Sequence, residues 1–433
     1  MTESIHPAAK LRGEITMPAD KSISHRAALF ASISDESSVI ENYSRAADPA
    51  STLSCLRSLG VKISKEGDRV EIEGVGRDGF LRPEAPLDCG NSGTTMRLLG
   101  GIIAGSGVRC TLTGDESLSS RTMKRITDPL TKMGAAVSAR ENLYAPLEFS
   151  GHIKGGIHAI RFPLPIASAQ LKSSVLLAGL FGDDETEVVE HIQSRDHTER
   201  LLGLRQEPYG DGKIIRSSRN DVIPAQNYRV PGDFSAAAFW LVAGSVHKNA
   251  SIRIPGTGIN PTRIAVLEVL KKMGANITES NPSFEGEEPT ADLHVESASL
   301  TGIELDPALI PNCIDELPVL MVAMCFAEGI SKIKGAEELR HKETDRLAAM
   351  TDVLKKAGAS IESLPDGMII NGNPSFEPNP SVYESFHDHR IAMAAAVLSL
   401  SGKKVSSVKD SDCTAISYPE FWSHLKKLTI TSL

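Results

Sequence analysis

Six times along the chain, a short polar opening leads into a helix-length run that is apolar nearly all round. The openings are Asp20-Lys21-Ser22, Asn91-Ser92-Gly93-Thr94, Ser168-Ala169-Gln170, Pro231-Gly232-Asp233, Asp315-Glu316 and Asp388-His389-Arg390. They introduce AALFASI, MRLLGGIIAG, SSVLLAGLFG, AAAFWLVAG, PVLMVAMCFAEG and IAMAAAVLSLSG. A surface helix has an apolar stripe and a polar face, whereas a helix that is apolar on every side is buried on every side. The start of such a helix offers free backbone N–H groups and a positive dipole end. Several starts facing one cleft would therefore suit anions.

A second landmark keeps the same period. Helical stretches ending in glycine and entering a strand occur at LRSLGVKI, LTKMGAAVS, LKKMGANIT and LKKAGASIE, with a weaker copy at Gly203. Glycine is the usual residue just past a helix end, because it tolerates the left-handed conformation. The sequence HLKKLTITSL reads as a sixth copy without its glycine. From Gly60 through Gly134, Gly203, Gly274 and Gly358 to Thr429 the spacings are 74, 69, 71, 84 and 71 residues, and one sixth of 433 is about 72. Two helices plus short strands, written six times, is an α/β pattern with a period too long for a common solenoid.

The length predicts two or three domains, and 41% hydrophobic with 23% charged residues can build substantial cores. A net charge of −9 argues against nonspecific nucleic-acid binding, which needs a basic face. The first residues, MTESIHPAAKLRGE, lack the apolar core of a signal peptide, and no apolar run is long enough to span a membrane. The cysteines at 55, 89, 110, 313, 325 and 413 have no paired spacing, so neither a zinc site nor a disulfide framework is expected. These features together predict a cytoplasmic protein without a transit peptide.

The charged clusters carry the chemistry. In RHKETDR, Lys342 and Arg346 are four apart, predicting a shared helix face. Two cations at that spacing repel by a few tenths of a kcal/mol, which an anion facing them would relieve. Glu343 lies at the edge of the same site. A solvated helix with compensating pairs such as His341 and Asp345 is the plainer alternative. DKSISHR puts Lys21, Ser22 and Arg26 near one helix start, where Ser22 or Ser24 is a candidate cap and Arg26 a surface cation or an anion ligand. GNSGTT is a glycine-containing helix start open to a small anion, though not a phosphate-loop motif. The histidines of HDHR and RDHTER lack the companions of a metal site, and no metal is expected. Their arginines, Arg390 and Arg195, suit carboxylate or phosphate clamps. No GxSxG elbow suggests a serine hydrolase.

DKSISHR, GNSGTTMRLL, SSRTM, ASAQLKSS, DELPVL, HKETDRL and DHRIAMA occur in that order between about residues 12 and 421. In this the chain resembles the 3-phosphoshikimate 1-carboxyvinyltransferase (EPSP synthase) family, in its variant with Ser-Ala-Gln rather than Ser-Ser-Gln. The resemblance implies a two-domain inside-out α/β barrel of six βαβαββ repeats, three per domain. The expected domains are 1–16 plus 232–433, and 17–231, with the active site in a cleft that closes on binding. The implied reaction moves the enolpyruvyl group of phosphoenolpyruvate to the 5-hydroxyl of shikimate 3-phosphate and releases phosphate, without a cofactor. A monomer is the family default.

Carried over by position, Asp315 is the implied base for the 5-hydroxyl, Glu343 the proton donor to the methylene carbon, and Lys21 the cation between the substrates. Lys21, Ser22, Arg26, Ser168, Ala169, Gln170, Arg195, Asp315 and Lys342 are the implied shikimate 3-phosphate residues. Lys21, Asn91, Gly93, Arg121, Gln170, Arg346 and Arg390 are those for phosphoenolpyruvate. Gly93 is the small residue that leaves room for the inhibitor glyphosate. The chain departs from many members at Ala169, which removes a hydroxyl, and at Ile416 and Glu338, where others carry lysine and asparagine. The sister transferase acting on UDP-N-acetylglucosamine is the enzymatic alternative, but it opens with Lys-Asn and uses a loop cysteine that GDESLSSRTM lacks. An inactive binding paralogue is the other, and the retention of Asp315, Glu343 and the arginines weighs against it.

Overall fold

Short side chains before each apolar run decide where the core helices begin. The computed structural model describes residues 1–151 and 156–431. Among these, the repeat is carried by twelve helices, six core helices alternating with six flanking ones. The first six are α1 (Lys21–Ile33), α2 (Ala47–Ser58), α3 (Gly93–Ser106), α4 (Lys124–Lys132), α5 (Ala169–Gly179) and α6 (His197–Leu202). The second six are α7 (Phe234–Val246), α8 (Ala265–Lys272), α9 (Leu317–Cys325), α10 (Arg346–Lys356), α11 (His389–Ser399) and α12 (Phe421–Leu428). The odd-numbered helices are the six apolar runs, and in α9 every residue is buried.

Five of the six core helices are capped by a side chain accepting a first-turn N–H: Asp20, Ser92, Ser168, Asp233 and Asp388. The cap of α1 is thus Asp20, not Ser22 or Ser24, and Ser24 Oγ instead donates to the Asp20 carbonyl at 2.8 Å. Helix α9 starts differently, with Pro318 in its first turn and no side-chain cap. Proline fits there because its missing N–H would have had no helical partner. The flanking helices end as the glycine landmarks require. Gly60, Gly134, Gly203, Gly274 and Gly358 all have positive φ, between 63° and 97°. The sixth, α12, runs directly into extended Thr429, so no glycine is needed.

Two compact units result, one of residues 19–230 with Glu285–Glu288, the other of 1–18, 231–284 and 289–433. Each has its own hydrophobic core, built around α1, α3 and α5 or around α7, α9 and α11.

In the first unit, every sheet has four strands, and each contains one parallel pair. Tyr228–Arg229 pairs in parallel with Ser37–Glu41, Leu87–Asp88 with Cys110–Thr113, and Arg161–Pro163 with Thr186–Glu190. Since Tyr228–Arg229 follows the third repeat and joins the first, the pairing closes into a ring. The second unit closes through the chain's N-terminus. Thr2–Ile5 pairs antiparallel with Ser406–Lys409 of the last repeat, and Lys10–Glu14 pairs in parallel with Ala250–Gly258 of its first. The repeat therefore crosses the chain ends, and residues 2–14 complete what the sixth copy begins.

The core helices pack closely because glycines face their neighbours. A Cβ on Gly101 of α3 would overlap the backbone carbonyl of Ser174 on α5, and one on Gly105 would overlap the Phe181 ring. Gly101→Ala should gain about 1 kcal/mol of helix propensity but suffer about 1–3 kcal/mol of overpacking against a backbone that cannot rotate away. We expect a net loss of stability in urea unfolding. A variant as stable as wild type would show that the two helices do not need this contact.

Candidate active site

Hydrogen bonds tie the N-terminal ends of the three core helices together within each unit. In the first unit, His25 Nδ1 of α1 meets Thr52 Oγ1 at 2.7 Å, and Thr52 meets Thr95 Oγ1 of α3 at 2.7 Å. Thr95 Oγ1 in turn donates to the cap, Ser92 Oγ, at 2.8 Å. Between α3 and α5, Arg97 Nη1 donates to Gln170 Oε1 at 2.5 Å, and Gln170 Nε2 donates to Thr94 Oγ1 at 3.0 Å. Three partial positive charges, each about half an elementary charge, thus gather at one end of this unit.

Around this end the structure places most of the residues expected there. Lys21 Nζ lies 2.5 Å from Asp48 Oδ2. Arg26 is a buried side chain, not a surface cation. Its guanidinium donates to Thr198 Oγ1 at 2.9 Å, the Ser22 carbonyl at 3.1 Å and Ser173 Oγ at 3.1 Å. Burial pulls the Arg26 pKa down to about 10, with Glu199 and Asp20 opposing that and Arg195 adding to it. Arg26 and Arg195 are therefore close enough to repel, and a phosphate dianion would relieve both. Beneath them, Lys172 is fully buried against Glu190 at 2.8 Å and Glu199 at 2.7 Å. Glu190 also accepts the Ser194 backbone N–H at 3.0 Å, which fixes the loop carrying Arg195.

Asn91 and Arg121 form a second group. Arg121 Nη2 donates to Asn91 Oδ1 at 2.9 Å, and Asn91 Nδ2 donates to Asp115 at 2.8 Å. Gly93 opens α3, where a Cβ would stand 2.9 Å from Arg97 Nη1 and 3.7 Å from Arg121 Nη1. The glycine is needed for the close approach of Arg97. Ser168 spends its side chain as the α5 cap, accepting from Leu171 N at 3.4 Å, and Ala169 begins the helix.

In the second unit, the starts of α7, α9 and α11 meet through Ser235, Glu316 and Arg390. Arg390 Nη1 donates to Ser235 Oγ at 2.6 Å and to the Asp315 carbonyl at 2.9 Å. Beside them, Arg346 is 1% exposed and holds three carboxylates: Asp388 at 2.8 Å, Glu343 at 2.5 Å and Asp315 at 3.5 Å. Burial would lower the Arg346 pKa, but Asp388, Glu343 and Asp315 outweigh it and hold the group above its ordinary value.

Lys342 and Arg346 do not share a helix face. Helix α10 begins only at Arg346, with Asp345 as its cap, and Lys342 is extended. Both nevertheless reach Asp315 Oδ1 at 3.5 Å. Asp345 pairs with Arg340 at 2.7 Å. No group of three His, Cys, Asp or Glu that could hold a metal occurs among the described residues. Nor, among them, is any single helix long and apolar enough to cross a membrane.

The family model of EPSP synthase (3-phosphoshikimate 1-carboxyvinyltransferase) matches residues 5–425. The 3-phosphoshikimate 1-carboxyvinyltransferase of Salinibacter ruber is 46% identical, and the match spans 100% of both chains. This chain belongs to the EPSP synthase family. The EPSP synthase structure from Acinetobacter baumannii superposes with a TM-score of 0.87 at 37% identity, covering 99% of this chain and 98% of that one. The enolpyruvyl transferase NikO from Streptomyces tendae has a TM-score of 0.76 at 16% identity, covering 98% of this chain and 96% of that one, which shows a shared fold alone.

Sequence reasoning missed the supporting residues of this family's site. Arg97 lay in plain view one turn after Gly93, and its position predicts contact with anything bound at that helix start. Asp48 and Ser235 carried no sequence signal beyond a polar residue near a helix start, and Ser173, Thr198 and Asp388 stood inside quoted motifs without a role of their own.

The buried His25 gives a pH test of this end of α1. Burial first, then Lys21 and Arg26, hold its pKa well below the ordinary 6.5, so the folded protein keeps it neutral. Below pH 6.5 the unfolded chain binds the proton and the folded chain does not. Stability is therefore full above that pH and falls as pH drops, by up to about 1.4 kcal/mol per unit for this one group. Denaturation between pH 7 and 5 should show a shallower decline in His25→Gln than in wild type. Parallel declines would mean that His25 takes up its proton in the folded state.

Proposed function

We propose that the residues of the two units act on one pair of substrates, phosphoenolpyruvate and shikimate 3-phosphate, and carry out the reaction of their family. The enolpyruvyl group passes to the 5-hydroxyl and inorganic phosphate leaves. Protonation of the methylene carbon makes its neighbour electrophilic, and the 5-hydroxyl attacks there while losing its proton. The tetrahedral adduct then returns a methyl proton and expels phosphate. Such a course needs an acid and a base placed on different atoms.

The observation that carries this reading is that Asp315 and Glu343 both stand on the Arg346 guanidinium. Asp315, also 3.5 Å from Lys342, takes the hydroxyl proton. Glu343 begins paired to Arg346, an arrangement that favours its charged form. When the phosphoenolpyruvate carboxylate takes over Arg346, Glu343 loses that partner and becomes able to hold and deliver a proton. Substrate binding thus prepares the acid. Arg390, Arg121 and Lys21 hold the remaining charge of phosphoenolpyruvate, with Asn91, Gly93 and Gln170 lining its place. Arg26, Arg195, Ser22, Ser168 and Lys342 hold shikimate 3-phosphate. Ala169 offers only its backbone.

Phosphate release from phosphoenolpyruvate should occur with shikimate 3-phosphate and not with UDP-N-acetylglucosamine. Asp315→Ala should reduce it by about two to four orders of magnitude, the usual worth of a positioned base. Release with the nucleotide sugar would overturn the substrate assignment. An undiminished variant would overturn the role of Asp315.

The glycine at position 93 predicts that glyphosate inhibits competitively with phosphoenolpyruvate. A Cβ there would displace Arg97, so Gly93→Ala should weaken inhibition and raise the KM for phosphoenolpyruvate together. Turnover unaffected by millimolar glyphosate in the wild type would reject this view of the pocket.

A further inference from the structure

Glu316 is a fully buried carboxylate among residues that the proposed function assigns to an anionic substrate. Its backbone occupies the cap position of α9, yet its side chain makes no cap bond to the helix. It is directed instead to three donors. Arg263 Nη1 reaches Glu316 Oε1 at 2.9 Å, Ser235 Oγ donates to the same oxygen, and Arg390 Nη1 stands 3.5 Å away. Arg263, itself buried, comes from the loop before α8, and its other nitrogen is 4.0 Å from Asp233.

The direction of these bonds is fixed by chemistry. An ionised carboxylate only accepts, so Ser235 must give its one proton to Glu316. Its lone pairs are then turned to Arg390 Nη1, which donates to Ser235 Oγ at 2.6 Å. The chain runs from Arg390 through Ser235 to Glu316, and Arg263 enters from the far side to balance the charge. Stability alone does not account for the pair, since a buried ion pair is often no more stabilising than well-packed apolar residues of similar size. What the pair provides is a single orientation for the guanidinium of Arg390.

We propose that Arg263 and Glu316, acting through Ser235, are positioning residues that set Arg390 for phosphoenolpyruvate. This rests on the assignment of Arg390 to that substrate. Because the pair holds one arginine and not the shikimate 3-phosphate residues, its loss should be felt by one substrate only.

The test measures kcat and both KM values, with thermal midpoints, for wild type, Arg390→Ala, Ser235→Ala and the double variant Arg263→Met/Glu316→Leu. The double variant removes both buried charges at once and leaves neither unpaired. Ser235→Ala and the double variant should each raise the KM for phosphoenolpyruvate about tenfold or more, as expected for a displaced binding group. The KM for shikimate 3-phosphate should stay within about twofold, and combining either change with Arg390→Ala should add nothing. If Arg390→Ala raises the phosphoenolpyruvate KM while the other variants leave it unchanged, or raise both KM values alike, the inference is wrong. If Arg390→Ala itself leaves that KM unchanged, the substrate assignment falls and the inference with it. Ser235→Ala alone decides the matter should the double variant fail to fold.

Discussion

Bringing three buried helix starts together concentrates partial positive charge where little water can dissipate it, and each unit of this protein is organised around that fact. A core of α1, α3 and α5, or of α7, α9 and α11, satisfies apolar burial with few demands beyond size and close approach at Gly101 and Gly105. The cost is that free N–H groups collect at one end. Part of the cost is met by capping side chains such as Asp20, Ser92 and Asp388. The rest is a standing attraction for anions. The same packing that makes the core makes the place where a phosphate or carboxylate is welcome.

The two units answer that attraction differently. The first surrounds it with cations that include Arg26 on hydroxyls and a carbonyl, Arg97 on Gln170, Arg121 on Asn91 and Lys21 on Asp48. The second fills it with carboxylates, three of them on Arg346 alone. A group that binds anions tightly needs the first arrangement. A carboxylate held by a cation, as on Arg346, changes its affinity for a proton when an arriving anion displaces it.

The architecture was legible because its signals repeat. Apolar runs and positive-φ glycines recur at one period, and each copy supports the others, so six weak statements make one strong one. Closure of the rings was not legible, because Tyr228–Arg229 is only two residues long and the strand Thr2–Ile5 pairs with a partner some four hundred residues away. For the site, residues that face ligands stood in motifs, whereas those that hold them did not. Arg263 and Glu316 meet across 53 positions, and nothing in either neighbourhood announces the other. The RHKETDR stretch misled for a local reason. The spacing of its charges predicts a helix, but Asp345 caps the helix only after Lys342 and Glu343 have passed, and Lys342 reaches Asp315 from a loop.

Ile416 and Ala169 then take on meaning from their surroundings. Ile416 lies in a short turn against the core of the second unit, packed with the apolar side chains around α11 and α12. An apolar residue there gains from partial burial against the core. Ala169 opens α5 at a point where Ser168 is already committed as the cap and Ser173 Oγ bonds back to the Ala169 carbonyl at 2.6 Å. A hydroxyl lost at 169 leaves no buried group unsatisfied. Under the proposed function, anion binding then falls mainly to Arg26, Arg195, Arg346 and Arg390. Guanidinium groups suit that burden, because they keep their charge when buried and present two parallel donors to a carboxylate or phosphate.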